Sequence, residues 1–160
     1  MTPSRRMFLG WLSLTLTGCT TLRPSPSDPQ AWWTGRLALN IQSDPPQSWS
    51  ASFELQGSAQ QGEMLLLSPL GNTLARLTWT PQSAMLLQGN QHIQGPSLQA
   101  LSEKLAGTDL PIPALFDWLA GLPTTAKGWQ ADLSGHAQGR LMARRLTPSP
   151  AAVLRILLDR

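Results

Sequence analysis

Apolar and polar residues alternate through the first part of the chain. Leu37, Leu39 and Ile41 point one way, separated by Arg36, Ala38 and Asn40. Past a turn at Pro45-Pro46, Trp49, Ala51, Phe53 and Leu55 alternate with Ser48, Ser50, Ser52 and Glu54. A period of two, with one apolar and one polar face, predicts half-buried antiparallel strands. Residues 57–62 read as a hairpin turn and residues 64–67 as a continuous apolar strand. Ser68-Pro69-Leu70-Gly71-Asn72 then interrupts the run with turn chemistry. Further strands are predicted at 73–80, 84–88 and 91–94.

The period then lengthens. Ser97 is placed to cap a short helix in which Leu98, Leu101 and Leu105 share one face, and Gly107 stops it. A second helix is predicted over 114–120, after Pro111-Ile112-Pro113 and before Gly121 and Pro123. Leu115, Trp118, Leu119 and Leu122 make it strongly apolar. Strands follow at 128–133, 139–146 and 152–159. Many strands, two short helices and strands again predict a mainly β chain, an antiparallel sheet with helices laid over one face.

The first residues read as an export signal. Arg5 and Arg6 precede an apolar run from Met7 to Leu16, well short of the roughly 20 residues a membrane-spanning helix needs. Ser4-Arg5-Arg6-Met7-Phe8-Leu9 is similar to a twin-arginine export signal. Leu16-Thr17-Gly18-Cys19 resembles the lipobox of bacterial lipoproteins, in which the cysteine is acylated and becomes the first mature residue. Cys19 is the only cysteine, so it has no disulfide partner within the chain. The expected organisation is a signal peptide over 1–18, an acylated, Pro/Ser-rich tether over 19–30, and one domain over 31–160.

Losing Arg5 and Arg6 takes the formal charge from +3 to +1. No Lys/Arg block remains in the mature chain, so no nucleic-acid partner is expected. Residues suited to chemistry are few. His92 and His136 lie in no metal-ligand spacing and read as solvated strand-end or turn histidines. The nine acids form no adjacent pair, and no phosphate-binding glycine loop precedes a Lys-Ser/Thr. No catalytic residue, metal or cofactor is expected.

Tryptophan is abundant, with seven against no tyrosine and three phenylalanines. Large rings suit a filled core, and they equally suit the wall of an apolar cavity. Leu70 carries a similar ambiguity. Proline and glycine around it favour a tight turn with Leu70 at the tip. Such a leucine either tucks over a neighbouring strand or projects as an apolar finger.

Several segments resemble one family. Trp33-Thr34-Gly35-Arg36-Leu37-Ala38 and Ser50-Ala51-Ser52-Phe53-Glu54-Leu55-Gln56-Gly57 look like its first two strands, and Leu67-Ser68-Pro69-Leu70-Gly71-Asn72-Thr73 is similar to its signature turn. Leu110-Pro111-Ile112-Pro113, Trp118-Leu119-Ala120-Gly121-Leu122-Pro123 and Gly128-Trp129 resemble its helical segment. The family is LolB, the outer-membrane lipoprotein receptors. The resemblance implies an unclosed antiparallel β-barrel with a helical lid over a hydrophobic cavity. It implies a monomeric, periplasm-facing receptor, anchored in the outer membrane through Cys19. Its partners would be a LolA-like periplasmic carrier, the acyl chains of cargo lipoproteins and outer-membrane lipid. Pro69, Leu70 and Gly71 fall on the family's membrane-insertion loop. The cavity that the resemblance implies would be walled by Leu37, Leu39, Trp49, Phe53, Leu66, Trp79, Leu115, Trp118 and Leu119, the strand residues among them turned inward by alternation. After Trp129 the resemblance fades, and Pro148 and Pro150 suggest an altered late loop. The alternatives are a structural lipoprotein with a filled core and a periplasmic hydrolase.

Overall fold

The structure is a computed structural model and describes residues 31–159. Cys19, the export signal and the tether lie outside the described residues. Among the described residues, nine strands form one antiparallel sheet. They are β1 (Trp32–Ile41), β2 (Gln47–Gly57), β3 (Gly62–Leu67), β4 (Thr73–Trp79), β5 (Ala84–Gln88), β6 (Gln91–Gly95), β7 (Trp129–Asp132), β8 (Arg140–Arg145) and β9 (Ala152–Leu158). Helices α1 (Leu98–Ala106) and α2 (Ile112–Leu119) stand between β6 and β7 in the chain.

The strand order is β6-β5-β4-β3-β2-β1-β9-β8-β7. First and last strands pair in continuous register from Gly35↔Leu158 to Ile41↔Ala152. The first and last described strands thus lie side by side, and the sheet stays open between β6 and β7, where the helices are inserted in the chain. The late segment therefore completes the sheet, and Pro148 and Pro150 fall in the β8–β9 loop, outside the strand ladders.

Alternation decides what faces inward. Leu37, Leu39 and Ile41 of β1, Phe53 and Leu55 of β2, Leu66 of β3 and Leu77 and Trp79 of β4 are all buried in one core. So are Leu154 and Ile156 of β9. The inward row belongs to every strand of the long sheet, so burial on its other face is partial or absent.

Ser97 caps α1, its hydroxyl accepting from the Ala100 amide at 3.1 Å, and Gly107 ends it. The second helix starts two residues before its predicted first residue. Pro113 sits in its first turn, where the N–H that proline lacks would have no intrahelical partner. Six of the eight α2 residues are buried. Leu122 lies beyond the helix end and is exposed, so it is not part of the buried face.

The tryptophans tie loops and helices to the sheet. Trp79 donates its indole N–H to the Ser58 carbonyl at 3.1 Å, and Trp129 donates to that of Asp109 at 3.0 Å. Trp118, fully buried, donates to the Thr124 carbonyl at 2.8 Å, just past α2. Each ring buries a large apolar area while its polar edge satisfies a backbone carbonyl.

His136 corrects the sequence expectation. It is buried within a short 3₁₀ turn (His136–Gln138), not solvated, and its Nε2 donates to the Leu119 carbonyl at 2.8 Å. The ring packs against Gly121, whose φ of +85° and missing side chain admit it. It thereby ties the last turn of α2 to the β7–β8 connection. His136→Ala strands a buried carbonyl and should lower stability by about 1–3 kcal/mol. A fall in the urea midpoint at unchanged m would register this, and an unchanged midpoint would refute it.

Candidate functional site

Strands β3 and β4 meet at residues 68–72, and the turn is built from its own sequence. The Gly71 amide donates to the Ser68 carbonyl at 2.9 Å, closing a tight turn with Pro69 and Leu70 at its centre. Gly71 then takes the left-handed region at φ +81°, which only glycine enters freely. The Ser68 hydroxyl accepts from the amides of Leu70 at 3.3 Å and Asn72 at 3.1 Å, and the Ser68 amide donates to the Asn72 carbonyl at 2.8 Å. Pro69 has no N–H. Every backbone donor from Ser68 to Asn72 is therefore satisfied within the loop.

Leu70 stands at the tip, 88% exposed. A leucine held clear of its neighbours, on a backbone that has no donor left to desolvate, can leave water at little polar penalty. Of the two readings of this leucine, tucked or projecting, the geometry is the projecting one. Ser68→Ala removes two of the loop's bonds. Amide exchange at Leu70 and Asn72 should accelerate while global stability changes by less than about 1 kcal/mol; unchanged exchange would contradict this account of the turn.

The base of the finger contains a bulge. Leu67 pairs with Thr73 while Leu66 pairs with Ala75, so Leu74 is an extra residue on β4. It is partly exposed and lines a cleft of about 300 Å³ with Trp49, Ala51, Leu66, Ala75 and Leu105. Trp49 also holds α1 in place, its indole donating to the Ala106 carbonyl at 3.4 Å. Leu66 and Leu74, at the base of the finger, thus adjoin a cleft between the sheet and α1.

The nine residues placed on a cavity wall divide into three groups. Trp49 and Leu66 line this cleft, and Leu37 borders a separate groove of about 530 Å³ with residues of β8 and β9. Leu39, Phe53, Trp79, Leu115, Trp118 and Leu119 line none of the larger open clefts and are buried in the common core. The contacts of α2 show how the interior is occupied. Phe116 meets Trp33 at 5.6 Å and Trp79 at 6.1 Å between ring centroids, both edge-to-face. Phe116 was not among the predicted wall residues. A helix buried nearly all round offers little polar face by which its core-facing residues could be ranked.

Among the described residues, no group of three or more His, Cys, Asp or Glu comes together to hold a metal. Asp132 is held below the usual carboxylate range by the Ser134 hydroxyl and amide, with the Arg144 charge adding, the reverse of what a general acid requires. His92 is exposed on β6. No described helix is long and apolar enough to cross a membrane.

Comparison with known proteins agrees with this geometry. A family model described as "Outer membrane lipoprotein LolB" matches residues 30–146. A protein of Cupriavidus necator named outer-membrane lipoprotein LolB is 34% identical over 151 residues, covering 88% of this chain and 76% of that relative. Its namesake in Chromobacterium violaceum is 29% identical over 142 residues, covering 84% and 77% respectively.

Proposed function

The chain belongs to the LolB family of outer-membrane lipoproteins, and from that premise we propose that it is a non-enzymatic receptor. It accepts lipoproteins from a LolA-like periplasmic carrier and delivers them into the inner leaflet of the outer membrane. The observation that carries this reading is the exposed Leu70 finger, whose base borders an apolar cleft on a sheet left open between β6 and β7. Cys19, acylated, anchors the chain at the membrane it serves.

Physical chemistry sets the task. At about 0.8 kcal/mol per CH₂, exposing one acyl chain of ordinary length to water costs on the order of 12 kcal/mol. The chains must therefore remain covered throughout transfer. With no nucleotide driving it, handover runs down a ladder of affinities, and each tenfold step needs only about 1.4 kcal/mol.

The 300 Å³ cleft sits at the lower bound of ligand pockets, which run from about 300 to 1,000 Å³. Several acyl chains need more room. In this reading α2 swings outward and the chains replace Leu115, Phe116, Trp118 and Leu119 against the inner faces of Leu37, Leu39, Phe53 and Trp79. The lid gives up its packing on the core as the acyl chains supply equivalent apolar contact, so the exchange is close to balanced.

A photo-crosslinking amino acid at Trp49 or Leu66 tests acceptance and its location together. Mixed with carrier loaded with acyl-labelled lipoprotein, both positions should capture label, and outward-facing Met85 should not. Equal capture at all three, or none, would remove the proposal. The second reading, a structural lipoprotein with a filled core, is favoured by the close fit of Phe116 between Trp33 and Trp79. It requires no capture at Trp49 or Leu66.

A further inference from the structure

The antiparallel order puts the β1–β2, β3–β4, β5–β6 and β8–β9 loops at one end of the barrel. Among the exposed large hydrophobic residues, Leu70 at 88% and Leu146 at 71% are the two most exposed, and both belong to this end. Leu146 follows β8 directly. Alternation turns Arg145 inward, where its Nη2 donates to the Pro150 carbonyl at 2.9 Å and its guanidinium lies 5.8 Å over the Trp129 ring. Leu146 is consequently thrown outward. The loop is fastened at its far side as well, since the Gln42 amide donates to the Ala151 carbonyl at 2.8 Å.

We propose that the β8–β9 loop is a second membrane contact, with Leu146 entering the boundary between lipid headgroups and acyl chains. The occupant is a bilayer containing anionic phospholipid, and three observations argue for it. Pro148 and Pro150 have no N–H to withdraw from water, so the loop loses few donors on entering the interface. Exposed Arg144 shares the outward side with Leu146, and exposed Lys127 lies beside the loop, because Gly128 packs directly on the Thr147 carbonyl. Cations around an apolar tip are the composition that binds an anionic lipid surface. The carboxylate on the neighbouring β1–β2 loop is Asp44.

Reach is the third observation. The described residues begin at Ala31, beside the opposite end of the barrel. The twelve residues from Cys19 to Gln30 can span at most roughly 40 Å. The ten residues of β1 cover about 33 Å. An anchor at Cys19 therefore lets the far end fold back onto the same membrane. Two separated leucines would fix the tilt of the barrel there, where one would leave it free to pivot.

This inference rests on the reading of the Leu70 end as membrane-facing, and the test separates the two. The full acylated chain would carry an environment-sensitive dye at Ser149→Cys, Asn72→Cys or Gln60→Cys, since its own Cys19 holds lipid. It would be placed in vesicles of phosphatidylethanolamine and phosphatidylglycerol containing nitroxide-labelled lipid. Quenching is expected at positions 149 and 72 and not at 60, on the opposite hairpin. Adding Leu146→Glu, whose fold is checked by circular dichroism, should abolish quenching at 149. Quenching at 72 without quenching at 149, or full quenching at 149 in the Leu146→Glu protein, overturns the second contact and leaves the finger standing. No quenching at either position overturns both.

Discussion

Leu70→Glu leaves acceptance of lipoprotein from the carrier intact and slows delivery into membranes by roughly ten- to a hundredfold. Burying one leucine is worth about 1.5–3 kcal/mol, and each 1.4 kcal/mol is about tenfold. Leu70 makes its contribution only when the finger meets lipid, since its side chain is 88% exposed in the free protein. The loop backbone holds itself together through Ser68, so the substitution leaves the turn formed. Its effect should fall on the delivery step alone. Transfer of labelled lipoprotein from the loaded receptor into vesicles measures this. Equal delivery by mutant and wild type would remove the finger from the account.

Phe116→Ala has the largest expected effect on the fold. Removing a buried phenylalanine costs about 3–5 kcal/mol, a drop in melting temperature on the order of 10 °C or more for a domain of this size. Phe116 is fully buried, with its edge contacts running to Trp33 and Trp79 on two different strands. In the receptor reading it also holds space that an acyl chain must take. Its loss should therefore tighten the binding of a fluorescent fatty acid while stability falls. A structural core predicts the same loss of stability with no fatty-acid binding before or after, so the pair of measurements discriminates where melting alone does not.

The strands were legible because alternation is local. The inward rows of β1 and β2 can be read off neighbouring residues, and the sheet buries those rows. The turn that carries Leu70 was legible for the same reason, since Ser68, Pro69 and Gly71 supply its chemistry within five residues, while the choice between a tucked and a projecting leucine needed the structure. What escaped depends on partners distant in sequence. Burial of His136 requires Leu119 and Gly121 to arrive beside it, and no spacing announces that. Phe116 hides in a helix with scarcely a polar face. The bulge at Leu74 is a matter of register between β3 and β4, and Thr73-Leu74-Ala75 carries no glycine or proline to mark it. The expected cavity wall was drawn from alternation, which separates inside from outside and says nothing of whether the inside is occupied. Here it is occupied, largely by α2.

Carrier loaded with lipoprotein labelled on its acyl chains is mixed with the acylated chain in vesicles, without nucleotide, and the label is followed over time. In the receptor reading, label passes from carrier to this chain and then into the bilayer. Vesicles lacking the chain should receive little. Label that stays with the carrier, or enters vesicles equally fast without the chain, would contradict it.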